Sequence, residues 1–108
     1  MNDEIWQDFE KLTEQYSVAE SNRAYLTEFR KSKKAILMAE AESIEPGMAI
    51  AKQERYAYSH HEYLELLSGY KAAVYEATAL RFKIEAFKMR FERWRSKQAT
   101  MRAEIGMR

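Results

Sequence analysis

Cysteine is absent from the 108 residues, and glycine and proline are scarce, at three and one. The first absence removes disulfide frameworks, thiolate nucleophiles and Cys-ligated zinc or iron together. The second leaves strong helix formers with almost no punctuation, so the chain reads as all-α. Neither sign of charge prevails, because 18 Lys and Arg stand against 17 Asp and Glu. Any electrostatic message must therefore lie in how the charges are distributed. No stretch approaches the ~20 apolar residues that span a bilayer, and the acidic start MNDEIWQDFEK resembles neither a signal nor a transit peptide. A soluble, cytoplasmic protein with no membrane partner is expected. Its length allows a single domain, residues 1–108.

What punctuation there is falls in the middle. SIEPGM sets Pro46 beside Gly47, a pair that stops a helix arriving from the N-terminal side. In YSHHEYLELL, Ser59 stands three residues before Glu62, the capping-box spacing. The spacing predicts one helix over about 3–44, a short helical connector within about 45–58, and a second long helix over about 59–105. Asn2 or Asp3 caps the first helix and Gly106 ends the last.

The second long helix repeats every seven residues. Tyr63, Tyr70, Ala77, Ile84, Phe91, Gln98 and Ile105 form one row, and Leu66, Ala73, Leu80, Phe87, Trp94 and Met101 the other. These are the two apolar positions of a heptad, so the helix offers one continuous seam. The first helix answers with Ile5, Phe9, Leu12, Tyr16, Ala19, Leu26, Leu37 and Ile44, interrupted by Arg23, Arg30 and Lys33. Folding the two back sets Leu12 near Phe91, Ala19 near Ile84, Leu26 near Ala77 and Arg30 near Ala73, where large residues often face small ones. The expected fold is a long antiparallel, coiled-coil-like hairpin with arms of roughly 65 Å.

So thin a rod buries little surface per residue. Tyr75, Phe82 and Met89 lie seven apart on the side away from the seam, and Tyr25, Phe29 and Ile36 lie off the first helix's seam. They form a candidate protein interface, and a homodimer completing a four-helix bundle is the expected use.

A thin hairpin has no pocket of ligand size, so no small-molecule substrate is expected. His60 and His61 are the only histidines and are adjacent, unlike metal ligands spaced three or four apart on a helix. No glycine-rich phosphate loop, nucleophile elbow or spaced carboxylate pair occurs. No catalytic, cofactor-binding or metal-ligating residue is nominated, and no enzyme is expected.

The C-terminal third is basic. From Thr78 to the end nine cations stand against three acids, +6 locally. Arg81, Lys88, Arg95 and Arg102 flank the seam on one side, and Lys83, Arg90 and Lys97 on the other. The first 20 residues carry six acids, from Asp3 to Glu20, against Lys11 alone, and the expected register lays them beside residues 83–100. Internal ion pairing is the expected fate of the cations. Failing that, Arg81, Lys88, Arg90, Arg95, Lys97 and Arg102 are candidate contacts for phosphates or an acidic partner, with weak, sequence-independent DNA binding as one outcome. A second basic cluster, FRKSKKA, circles the first helix and is expected to be solvated.

The stretches RAYLTEFRKSKKAILMAEAE and HHEYLELLSGYKAAVYEATALRFKIEAFKMRFERWRSKQATMRAE together resemble a group of small, uncharacterised helical proteins of phages and prophages. Their genes often sit near those of single-strand annealing recombinases and single-strand binding proteins. FERWRSKQATMRAE is the most specific piece. The resemblance implies a phage recombination or replication setting and directs attention to Trp94, Arg95 and Arg102. It also implies an accessory role, either on a protein of that machinery or as an inhibitor of a host nuclease or defence complex.

Overall fold

The computed structural model describes residues 2–107, which form three helices: α1 over Asp3–Ile44, α2 over Ile50–Ser59 and α3 over His61–Gly106. No strand occurs among the described residues. Asn2 caps α1, its side-chain Oδ1 accepting from the Ile5 amide at 3.1 Å, and Asp3 and Glu4 complement the positive end of the helix dipole. The helix stops where expected. Glu45 closes the last turn onto Ala41, and Gly47 takes the left-handed conformation (φ +82°) that only a residue without Cβ adopts cheaply. The turn is tied from inside. Glu42 accepts from the Gly47 amide at 3.2 Å and from the side-chain amide of buried Gln53 at 2.7 Å, while Gln53 also donates to the Met48 carbonyl.

The connector is a true helix, and it doubles back along α1. Ala41 and Ala57 are fully buried, small enough to let the two helices approach closely. Leu37 is clamped with Ala57 and Tyr63, so all three helices meet at one side chain, with Met38 and Leu67 around it. The start of α3 differs from expectation: Ser59 bonds back to the Arg55 carbonyl at the end of α2, and His60 caps α3 by accepting from the Glu62 amide through Nδ1. A ring nitrogen reaches that amide once α2 has claimed the serine.

α3 then runs antiparallel to α1, displaced by one heptad from the expected register. Ala19 packs with Ala77 and Leu80 instead of Ile84. Phe9 stacks on Phe87 at 4.5 Å, Thr27 Oγ1 lies 3.2 Å from the Tyr70 hydroxyl, and Lys33 donates to Glu62 at 2.8 Å. The cause is the path of α2. By turning back it delivers α3 alongside Lys33 and Leu37, so the last turns of α1 pack on α2 instead of on α3. The molecule measures 87 × 23 × 15 Å, about one helix thick.

The Lys33 pair holds the Glu62 carboxyl below the usual carboxylate range, chiefly through its hydrogen bond and then through its charge. A depressed folded-state pKa means stability that is present above the unfolded value and lost as pH falls through the folded one. Hairpin stability is therefore expected to fall below about pH 4.3, the ordinary Glu value. In an acid titration followed by circular dichroism, Glu62→Gln should flatten part of that slope while lowering neutral-pH stability only slightly, since the pair is partly exposed.

Candidate interaction surface

The basic cluster of α1 is used up within the fold. Lys31 pairs with Glu28, Lys33 with Glu62, Lys34 with Glu54, and Arg30 lies over the Tyr70 ring at 5.2 Å. Lys34 also caps the Tyr58 ring at 4.9 Å, and its pKa is raised, first by a hydrogen bond to that phenol. This cluster is therefore not merely solvated: it ties α1 to both other helices. Arg23, at a seam position, grips Glu20 of its own helix with two hydrogen bonds, which lowers the glutamate pKa and raises that of the guanidinium.

The basic rows of α3 differ. Among the described residues, only Arg95 reaches a carboxylate, Glu92 of its own helix at 3.4 Å. Arg81 leans over the Phe82 ring at 5.2 Å. Lys88, Arg90, Lys97 and Arg102 have no carboxylate within ion-pair distance among the described residues, although Arg102 reaches the Gln98 carbonyl at 3.4 Å. The expected neutralisation by the start of α1 forms no direct ion pair among the described residues, and only Glu20 feels one of these cations, the charge of Arg81 being a minor cause, after Arg23, of its lowered pKa. Asp3, Glu4, Glu10 and Glu14 are exposed away from the seam, and the shifted register removes them from the last turns of α3. Asp8 and Arg90 share the rim of one groove without pairing.

The register also strands the end of α3. Trp6, in the first turns of α1, already meets Phe91 at 5.3 Å between ring centroids. Residues 95–107 therefore extend beyond α1 by about 20 Å at 1.5 Å per residue, all exposed but for partly covered Gln98. Trp94, Met101 and Ile105, expected in the hairpin core, lie on the surface, Trp94 38% exposed and stacked only on Phe91 of its own helix. Ile44, expected in the seam of α1, is exposed as well. The heptad pattern omits Trp6, which packs edge-on against Phe87 and Phe91 from the flank beside Ile5 and Phe9.

No protein-family model, curated protein or solved structure matches this chain, so its own residues carry the functional reading. The candidate interface residues separate into two rows. Tyr75, Phe82 and Met89 stand on the back of α3, 77%, 56% and 73% exposed. Tyr25 and Phe29 stack at 5.8 Å on α1, with Ile36 two turns on, all exposed. Tyr25 lines a shallow groove of about 400 Å³ whose α3 wall is Gly69, Ala72, Ala73 and Glu76. At the open end of the hairpin a second groove of about 370 Å³ runs between Ile5, Phe9, Leu12 and Phe87, with Asp8 and Arg90 on its rim.

Among the described residues no three His, Asp or Glu side chains gather where a metal ion could bind, and no helix is long and apolar enough to cross a membrane.

Proposed function

We propose that this chain is a non-enzymatic interaction protein that works as a homodimer, two hairpins packing into a four-helix bundle. The observation that carries the reading is the row of Tyr75, Phe82 and Met89, three large apolar side chains one heptad apart that no other helix covers, with only the Arg81 side chain leaning over Phe82. The hydrophobic core gives independent support. Ala19, Leu37, Ala41, Ala57, Tyr63, Ala77 and Leu80 are the buried apolar residues among those described, and four of the seven are alanine. A second layer of helices would bury what this one leaves open. The partner is proposed to be a protein of the DNA recombination or replication machinery in the cytoplasm of a phage-infected cell. That setting follows from the resemblance carried by FERWRSKQATMRAE.

Light scattering on the full chain at tens of micromolar is expected to give twice the monomer mass, and Phe82→Glu to give a helical monomer. A wild-type monomer at that concentration ends the bundle reading. Affinity capture with mass spectrometry then identifies the partner. The uncovered cations of α3 favour a second reading, sequence-independent DNA binding, which a mobility shift at low salt tests directly.

A further inference from the structure

We infer that residues 94–107 of α3 are half of an unfinished seam, the docking site for an amphipathic helix with acidic flanks supplied by a different protein. This deepens the reading of the chain as an interaction protein but does not depend on its dimerising.

Three observations converge. The first is continuity. Trp94, Gln98, Met101 and Ile105 keep the heptad phase that packs Ala77, Leu80 and Phe87 against α1, and they lie past the Asn2 cap at which α1 starts. A helix surface that would otherwise face water thus carries residues in seam positions. The second is the groove beside it. Ile5, Phe9, Leu12 and Phe87 leave an apolar trough at the open end, Phe87 lying two turns before Trp94 in the same heptad row, so an incoming helix would find a footing on both arms. The third is charge. Arg95 and Arg102 border the seam on one side, Lys97 and Arg90 on the other, and the only acid within residues 95–107 is Glu104.

Charge also selects among the occupants. If a second copy laid its own tail antiparallel on this one, Lys97 and Glu104 would pair across the axis, but Arg95 would face Arg102 twice and both segments would remain net positive. A nucleic acid would satisfy the cations while leaving Trp94, Met101 and Ile105 no regular apolar counterpart. An acidic-flanked helix with its own heptad seam satisfies both. The 13 residues beyond Trp94 accommodate three to four turns of it.

The probe is a synthetic three-heptad peptide with Leu at the two seam positions and Glu at the flanks, whose like charges oppose its own association. It is titrated calorimetrically into the full-length protein at physiological salt. Controls are a scrambled peptide of identical composition, a Lys-flanked version, and a single-stranded oligonucleotide. The acidic amphipathic peptide is expected to bind at least tenfold more tightly than any control. Met101→Glu should weaken it at least tenfold with the circular dichroism spectrum unchanged. Lys97→Glu with Arg102→Glu should reverse the preference toward the Lys-flanked peptide. Equal binding of the scrambled peptide or of the oligonucleotide would reduce the site to a polyanion contact and overturn the proposal. So would light scattering in which Met101→Glu turns a dimer into a monomer, because a second copy would then own the seam. Phe82→Glu separates the two readings. If that variant is monomeric and still binds the peptide, both stand; if the wild type is dimeric but ignores the peptide, only this one falls.

Discussion

Leu37→Ala is expected to lower the stability of the protein by about 3 kcal/mol, in the middle of the range for deleting buried leucine side chains. Leu37 is 1% exposed and is the largest side chain buried completely among the described residues. It touches α2 through Ala57 and α3 through Tyr63, so the cavity opens where three helices converge and none can collapse without disturbing the other two. A loss of that size corresponds to a drop of roughly 12–24 °C in Tm for a chain of this length. Thermal denaturation at fixed protein concentration checks it, the concentration being held because dimerisation would itself shift Tm. A change of only a few degrees would mean that α2 does not close over α1.

The second large effect distinguishes Phe87 from Trp94. Phe87 sits where Phe9 stacks on it at 4.5 Å and Trp6 meets its edge at 6.0 Å. Phe87→Ala is therefore expected to cost about 3 kcal/mol, at the low end for aromatic truncation because the site is only partly buried. Trp94, one heptad further on, stacks on Phe91 of its own helix, has no aromatic partner on α1 and is 38% exposed. Trp94→Ala should cost under about 1 kcal/mol, as surface changes usually do. If α1 lay one heptad further along α3, the ranking would invert, since Trp94 would then occupy the place of Phe87. Urea denaturation of both variants decides the register, and the larger loss falling on Trp94→Ala would refute the observed one.

Much of the candidate surface is legible in the sequence, because exposure on a helix follows from phase. Tyr75, Phe82 and Met89 lie opposite a well-marked seam and are found uncovered. Other features depend on tertiary contacts. That Lys31, Lys33 and Lys34 each meet a carboxylate, while Lys88, Lys97 and Arg102 do not, depends on which helix lies alongside and at what level. His60 replaces Ser59 as the cap because the serine hydroxyl is already committed to the preceding helix. Single-helix spacing carries no record of that competition.

The sequence by itself determined the all-α class, a cap at Asn2 or Asp3, the end of α1 before Pro46 and Gly47, and the phase of both seams. Each is a local matter of propensity, capping or a seven-residue period. The tertiary structure alone decided the register, and with it the stranded end of α3 and, among the described residues, the lack of a carboxylate partner for Lys88, Lys97 and Arg102. A heptad pattern is unchanged by sliding one helix seven residues along the other, so periodicity leaves those alignments degenerate. The degeneracy is broken by α2, which folds back on Ala41 and Leu37 and fixes where α3 begins.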